Sequence, residues 1–202
     1  MGEAKRRLMS WPEYLAWEAT QPTKYELVDG EVRAMTGGTG EHDTICNNLR
    51  GELRERLRGK PCRPQGPDLK VRTGTGNGRY PDALIDCGRR EIGDVQAKEP
   101  VVVFEVLSQR NREAICASST SWIDLNEKFD DYDATPTIRH YVLIFQDQVR
   151  VMAYGRDDQG QFDRRRATVL RDGGESPSIP SLELSLPLAA LYEDVDLGGG
   201  QP

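Results

Sequence analysis

The chain has 202 residues, of which 37% are hydrophobic and 30% are charged, and its formal net charge is −6. This composition is ordinary for one globular domain, and no apolar run approaches the ~20 residues that a membrane-spanning helix needs. The basic start at Lys5-Arg6-Arg7 is not followed by the apolar segment of a secretory signal. We therefore expect one cytoplasmic domain over 1–202, with its core at about 10–192, a loose tail at 193–202 and no membrane contact.

The four cysteines form no Cys-x-x-Cys pair, and the chain contains only two histidines. Neither a zinc site nor a disulfide framework is therefore expected. No Ser-His-Asp or Cys-His nucleophile motif is recognisable either. The cysteines are Cys46, Cys62, Cys87 and Cys116, and the histidines are His42 and His140.

Secondary structure in the first part of the chain is marked by caps and turns. Residues 10–13 match a capping box, which predicts a short helix from Ser10 to about Ala19. Asp29-Gly30 separates two short β-prone runs and predicts a two-residue hairpin turn. Apolar residues recur every four positions from 45 to 57, which predicts the main core helix, ending near Gly59.

The later elements alternate between strands and helices. A strand is expected at 69–72, and another begins at Tyr80-Pro81-Asp82, because proline is tolerated at the first positions of a strand. The apolar run 101–108 predicts a strand that is buried on both faces. Apolar residues at helical spacing predict a helix over 122–132. Further strands are expected at 141–145, 149–154, 164–170 and 182–186, with a short helix at 187–192.

One carboxylate, Glu105, lies in the middle of the buried strand. A buried carboxylate normally changes its protonation state, finds a partner or binds a metal. With Asp82 before one strand and Lys128 on the following helix, two carboxylates are available for a hard cation such as Mg²⁺, and a lysine for a phosphate. The alternative is structural: a Glu105–Lys128 salt bridge and an Asp82 that caps a turn.

Several stretches resemble the bacterial Uma-type family, which is restriction-endonuclease-like and belongs to the PD-(D/E)XK nuclease superfamily. The resemblance spans roughly residues 10–192 and depends on the joint order of its motifs. The matching stretches are Lys24-Tyr25-Glu26-Leu27-Val28-Asp29-Gly30-Glu31, His42, Tyr80-Pro81-Asp82, Val103-Phe104-Glu105-Val106-Leu107-Ser108, Asp124-Leu125-Asn126-Glu127-Lys128 with Tyr132, and Tyr141-Val142-Leu143-Ile144.

This resemblance implies an α/β fold with a central mixed β-sheet flanked by helices, preceded by an N-terminal helix and β-hairpin. It implies an endonuclease that uses Mg²⁺, or Mn²⁺ in its place, to hydrolyse DNA. Asp82 and Glu105 would hold the metal, Lys128 would stabilise charge and Glu26 would assist. The superfamily pattern has its lysine two residues after the glutamate, where this chain has Leu107, so Lys128 would act from the helix instead.

Other site residues have competing interpretations. His42 is either an accessory site residue or a helix-capping or surface residue, and Glu26 is either part of the site or a solvated strand residue. Asp124 lies four residues before Lys128 and is expected to pair with it. Ser108 either hydrogen-bonds near the carboxylate or forms a turn.

Basic residues are concentrated between Arg50 and Arg79, where nine basic and three acidic residues give a local charge of +6. A local basic surface can meet phosphates even on an acidic protein, although a solvated helix face explains the same pattern. The candidate nucleic-acid contacts are Arg50, Arg54, Arg58 and Arg79.

The predicted partners are DNA and a second copy of the chain, since one site cuts one strand and double-strand cleavage requires a two-fold dimer. Two other functions stay open. One is a catalytically degraded nuclease fold that binds nucleic acid or protein, which the acidic net charge and Leu107 favour. The other is a nuclease-like fold that acts on RNA or on a nucleotide metabolite.

Overall fold

The computed structural model of this chain describes residues 8–107 and 120–197, with side chains omitted for 120–124. Its helices are α1 (Trp11–Glu18), α2 (Gly40–Arg56), α3 (Thr120–Asp133) and α4 (Leu188–Leu191), with a 3-10 turn at Pro180–Leu182. Its strands are β1 (Tyr25–Val28), β2 (Glu31–Ala34), β3 (Arg63–Gln65), β4 (Val71–Arg72), β5 (Gly78–Arg79), β6 (Ala83–Asp86), β7 (Pro100–Leu107), β8 (His140–Phe145), β9 (Val151–Gly155), β10 (Thr168–Leu170), β11 (Ser178–Ile179) and β12 (Leu184–Ser185).

A six-stranded sheet with the order β10-β9-β8-β7-β6-β3 forms the centre of the fold. Strands β7 and β8 are parallel, whereas the other neighbours in this sheet are antiparallel. A second sheet has the order β2-β1-β5-β4, and β11 pairs with β12. The predicted α/β fold with a central mixed sheet and flanking helices is confirmed.

Side-chain alternation along β7 separates two apolar layers. Val102, Phe104 and Val106 pack in the layer that contains the apolar side of α2 and the C-terminal helix α4. Val103 and Leu107 pack in the opposite layer with Leu125, Phe129 and Tyr132 of α3. Because successive strand residues point to opposite faces, Glu105 belongs to the α3 side of the sheet. Leu107, at the superfamily's lysine position, is 2% exposed in the apolar layer.

The N-terminal predictions are confirmed. The Glu13 carboxylate accepts a hydrogen bond of 2.9 Å from the Ser10 backbone N–H, which completes the capping box of α1. Asp29 and Gly30 have φ angles of 50° and 80°, as a hairpin turn between β1 and β2 requires. Helix α1 then covers the second sheet closely. A Cβ at Gly78 of β5 would lie 2.5 Å from the Trp11 ring, so this contact needs a glycine.

A disulfide joins Cys62 to Cys87, and the prediction that this chain has no disulfide is wrong. The β3–β6 register pairs Arg63 with Asp86, which places the residues just outside that pair, Cys62 and Cys87, opposite one another. Sequence spacing could not show this, because it depends on which two strands pair. Cys116 lies outside the described residues.

Among residues 8–107 and 120–197, no helix has both the length and the apolar character to cross a membrane.

Candidate active site

Asp82 and Glu105 lie on neighbouring strands, as predicted. Ala83 pairs with Phe104 in the antiparallel β6–β7 register, so Asp82, one residue earlier, falls opposite Glu105. The Asp82 Oδ2 atom accepts a hydrogen bond of 2.7 Å from the Val106 backbone N–H. This bond fixes the aspartate at the start of β6, beside the glutamate of β7.

Two residues of α3 contact the Glu105 carboxylate, one on each oxygen. Lys128 Nζ donates to Oε2 at 3.0 Å, and the Tyr132 hydroxyl donates to Oε1 at 2.8 Å. Residues four apart lie on the same face of a helix, so both side chains reach the same point. Helix α3 therefore places a lysine beside Glu105, in a salt bridge that both the structural alternative and the family resemblance predict.

Burial dominates the ionisation of Glu105. Desolvation raises its pKa from 4.5 to about 7, and the nearby charges of Asp82 and Glu26 act in the same direction. The Lys128 ammonium group and the Tyr132 hydroxyl oppose this rise. The three carboxylates of Glu105, Asp82 and Glu26 thus repel one another electrostatically. A further positive charge near them would reduce this repulsion.

Glu26 of β1 belongs to this region and is 7% exposed, so the interpretation as a solvated strand residue is wrong. Its Oε1 accepts a hydrogen bond of 3.0 Å from the Tyr80 N–H and lies 3.8 Å from Lys128 Nζ. Its Oε2 accepts a hydrogen bond of 3.0 Å from Arg79 Nη1. Burial opposes its ionisation, but Lys128, Arg79 and the Tyr80 N–H outweigh burial and lower its pKa. Glu26 is ionised and helps to hold Lys128 beside Glu105.

Arg79 was predicted to contact nucleic acid, and this prediction is wrong. Its side chain is fully buried, at 0% exposure. Besides its pair with Glu26, its Nε donates to Asp131 Oδ2 of α3 at 2.6 Å. A guanidinium in this position cannot meet a phosphate on the surface, and it instead holds β1 and α3 against β5.

His42 lies on the other side of Asp82, near the start of α2. Its Nε2 is 3.3 Å from Asp82 Oδ1, and its Nδ1 is 3.6 Å from Cys46 Sγ. The hydrogen bond to Asp82 is the main reason that its pKa rises to about 10. Thr39, not His42, is the N-cap of α2, since its side chain accepts from the His42 N–H. The capping interpretation of His42 is therefore wrong.

One donor atom from each of His42, Cys46 and Asp82 lies within 4.8 Å of the others. The order of Cys46, His42 and Asp82 resembles a nucleophile, a base and an orienting acid. However, Cys46 is 5% exposed, and burial raises the pKa of its thiol. A reactive cysteine needs access and a lowered pKa, so a cysteine-nucleophile site is excluded.

The chain as a whole is similar to several known proteins. Residues 11–189 match the model of the Uma2 family, which is described as "Putative restriction endonuclease". The chain belongs to the Uma2 family. Two relatives from Synechocystis sp. are the uncharacterized protein slr1290, 32% identical with 76% of this chain and 77% of that protein covered, and the uncharacterized protein sll1609, 24% identical with 75% and 82% covered.

A solved structure supports the same fold for this Uma2 chain. It is the crystal structure of a putative nuclease belonging to DUF820 from Anabaena variabilis, with a TM-score of 0.67 and 17% sequence identity. The match covers 92% of this chain and 98% of that one. At this identity the likeness shows the fold alone.

The remaining predicted site residues of the Uma2 chain differ in their surroundings. Arg54 and Arg58 are exposed, whereas Arg50 is half-buried, with its Nε donating to the Cys46 carbonyl at 3.1 Å. Ser108 and the side chain of Asp124 lie outside the described residues, so their roles stay predictions.

The sequence assigned no role in the site to three of its residues: Tyr132, Asp131 and Cys46. Tyr132 was named only as part of a family-matching stretch, although its spacing of four residues from Lys128 puts both on one face of α3. Cys46 has the same spacing from His42 on α2. Asp131 gave no comparable pattern, since its partner Arg79 comes from a strand 52 residues earlier.

Proposed function

We propose that this chain is a divalent-metal-dependent endonuclease that hydrolyses phosphodiester bonds in DNA. The observation that carries the proposal is the contact of Lys128 with Glu105, on the strand beside Asp82. If the site were degraded, the replacement of the strand lysine by Leu107 would be expected to leave it without a lysine. Here a lysine from α3 is 3.0 Å from the glutamate.

The donor set suits a hard divalent cation. Asp82 and Glu105 offer carboxylate oxygens, which Mg²⁺ and Mn²⁺ prefer. Burial, followed by the nearby charges of Asp82 and Glu26, raises the pKa of Glu105, and a cation between the Asp82 and Glu105 carboxylates would oppose these effects. When bound there, such a cation supplies Lewis acidity at a phosphate oxygen and a lowered pKa for the attacking water.

The chain's own residues position and balance these charges. The Lys128 ammonium group is placed to stabilise negative charge that develops on the phosphate, a role in which preorganised donors are effective. The Tyr132 hydroxyl and the Val106 N–H orient Glu105 and Asp82. Lys128, Asp82 and His42 have side chains that are 14%, 18% and 20% exposed, so the site is open to solvent on their side.

DNA binding is proposed to use the exposed arginines at the far end of α2. At 1.5 Å per residue, Arg54 lies roughly 18 Å along the helix axis from His42. Phosphates on one strand are about 3.4 Å apart along the duplex, so this distance corresponds to roughly five nucleotides. Arg54 and Arg58 would thus contact the backbone away from the scissile phosphate.

Cleavage of DNA in the presence of Mg²⁺ or Mn²⁺ tests the proposal. Purified protein is incubated with supercoiled plasmid, with linear duplex and with RNA of the same sequence, with and without a chelator. We expect metal-dependent nicking or cutting of DNA, and a fall of at least about 100-fold in Glu105→Gln and Asp82→Asn. Glu99→Gln is the matched control, because Glu99 is exposed and precedes the same strand.

Two results would contradict the proposal. If DNA stays intact while RNA is cut, the substrate class is wrong. If neither is cut and DNA is bound with strong salt dependence, the chain is a binding module. For double-strand cleavage we also propose a two-fold dimer, which sedimentation at cleavage concentrations tests; double-strand cutting by a monomer would refute it.

A further inference from the structure

We propose that His42, Cys46 and Asp82 form a second metal site, selective for a thiophilic divalent cation of the Zn²⁺ type. It differs from the oxygen-ligand site of Asp82 and Glu105 in its donors and in its position on α2. Its occupation would inhibit the enzyme, because both sites use Asp82. The proposed binding of the cation does not depend on the nuclease function, whereas the proposed inhibition rests on it.

The backbone places the three ligands together. His42 and Cys46 are four residues apart on α2, so they share one helix face. Asp82 approaches that face from the start of β6, with its Oδ1 3.3 Å from His42 Nε2. Within the ranges that the structure describes, this is the sole group of three or more His, Cys, Asp or Glu side chains whose donor atoms lie close enough together to be candidates for holding a metal ion.

The donor set identifies the class of metal. A metal would displace the protons of the Cys46 thiol and the His42 imidazole to solvent. The resulting imidazole nitrogen, thiolate sulfur and carboxylate oxygen match the three-ligand zinc sites that keep an open fourth position. At a tetrahedral angle, metal bonds of about 2.0 Å and 2.3 Å place two donors about 3.5 Å apart, so donors that lie within 4.8 Å of one another must approach by up to about 1.3 Å. Side-chain rotation can supply this shift. Mg²⁺ would not take the thiolate, since it prefers oxygen ligands.

Neighbouring groups hold the ligands in place. A Cβ at Gly38 would lie 2.8 Å from His42 Nδ1, so the backbone of Gly38 packs directly on the imidazole ring. The Val106 N–H holds the other oxygen of Asp82. Such outer contacts orient metal ligands and affect affinity. Although Cys46 is buried, the half-exposed His42 and Asp82 give an ion a route to the sulfur.

Sharing Asp82 makes the two sites compete. A Zn²⁺ ion on His42 and Cys46 engages the carboxylate that the hard cation needs, while Glu105 stays with Lys128 and Tyr132. Low Zn²⁺ should therefore inhibit cleavage in the presence of excess Mg²⁺. Glu105 is not a ligand of the second site, which separates the two sites by mutation.

Co²⁺ binding to the metal-free full-length protein tests the site without any nuclease assay. We expect a near-ultraviolet thiolate-to-cobalt charge-transfer band and visible bands of four-coordinate Co²⁺, both abolished by one equivalent of Zn²⁺. Cys46→Ser should lose the charge-transfer band. His42→Gln should weaken Zn²⁺ binding by more than about 100-fold, because even outer contacts are worth roughly 10- to 100-fold.

Two further variants make the result specific. Cys116→Ser is the control for the remaining thiol, and Glu105→Gln should keep the band while it loses Mn²⁺ binding. The proposal is overturned if the wild type shows no charge-transfer band, or if the band persists in Cys46→Ser or disappears in Cys116→Ser. Circular dichroism confirms folding of each variant. A band in a protein that cleaves nothing would support this site and refute only the nuclease function.

Discussion

The ammonium nitrogen of Lys128 lies 3.0 Å from Glu105 Oε2, although 23 residues separate them in the chain. The contact joins α3 to β7, while Leu107, at the position where the superfamily pattern has its lysine, packs in the core. A positive charge thus reaches Glu105 from a different element of the fold, and substitution of Lys128 tests the role proposed for it in cleavage.

Lys128→Met should reduce the rate of DNA cleavage by about 100- to 1000-fold, the usual cost of one lost transition-state donor. Binding of Mn²⁺ should persist, because Asp82 and Glu105 both remain. Lys128→Arg should recover part of the rate, since it restores the charge. Rates at saturating metal and calorimetry with Mn²⁺ measure the two effects. Lys98→Met, which removes an exposed lysine, is the control. Unchanged cleavage by Lys128→Met would refute the role.

Metal affinity should rise with pH up to about 7 and then level off. Burial raises the pKa of Glu105 to about 7, so at lower pH a proton must leave before a cation binds. Affinity should fall by up to about tenfold per pH unit below that value. Calorimetry in two buffers of different ionisation enthalpy measures the proton released. An affinity independent of pH between 5 and 8 would contradict this prediction.

The same pKa has a consequence for the stability of the metal-free protein. Since the folded pKa is raised above 4.5, the folded state binds more protons than the unfolded state between the two values. The contribution of Glu105 is fully present below about pH 4.5 and is lost as the pH rises through about 7. Denaturant titrations of wild type and Glu105→Gln should show this difference, with the wild type losing more stability between pH 5 and 8.

Arg79→Leu should destabilise the protein by about 3–5 kcal/mol, because it leaves Glu26 and Asp131 buried without their cation. Urea denaturation measures the free energy of unfolding. A matched comparison is Arg54→Leu on the exposed side of α2, for which a change within about 0.5 kcal/mol is expected. Equal effects of the two substitutions would contradict a structural role for Arg79.

Arg54→Ala and Arg58→Ala should weaken DNA binding similarly for all sequences, because phosphate contacts carry no base information. Each should reduce the slope of log affinity against log salt by about 1. Fluorescence anisotropy over a range of salt concentrations measures this slope. Arg165→Ala, at an exposed position remote from α2 in the chain, is the control. A slope that stays the same in the double variant would place the DNA elsewhere.

Loss of the Cys62–Cys87 disulfide should lower the free energy of unfolding by about 3 kcal/mol. The reason is that the disulfide closes a loop of 25 residues and so reduces the conformational entropy of the unfolded chain. Reductant and the double Cys→Ser variant should give the same loss, measured by denaturant titration. Metal binding should not change, since neither cysteine contacts the candidate site. If reductant also lowers the free energy of unfolding of the double variant, that loss does not come from the Cys62–Cys87 disulfide.

Patterns that repeat along the chain were sufficient to predict most of the elements and the pair of carboxylates, but not the short strands β3, β5 and β11. The strand β7 was visible as an apolar run, and its one polar residue, Glu105, identified the site. The relation of Lys128 to Glu105 came from family resemblance, since no spacing rule fixes how a helix lies on a sheet. Local sequence could not predict features that depend on packing between distant elements.

Arg79 illustrates this limit. In sequence it belongs to a segment of charge +6, and nothing in that segment distinguishes it from the exposed Arg54. Its burial follows from Glu26 and Asp131, which lie 53 and 52 residues away along the chain. The disulfide has the same origin, because the pairing of β3 with β6 brings its cysteines together.

The buried Arg79 links β5 to both β1 and α3, and so connects the small N-terminal sheet with the helix that carries Lys128 and Tyr132. Opening β1, β5 or α3 would expose at least one of the Arg79–Glu26 and Arg79–Asp131 ion pairs to water, and would weaken the contacts of the other pair. The three elements should therefore exchange their amide hydrogens as one cooperative unit, with a shared opening free energy. The position of Lys128, the proposed catalytic lysine, should in this way depend on the stability of the N-terminal hairpin.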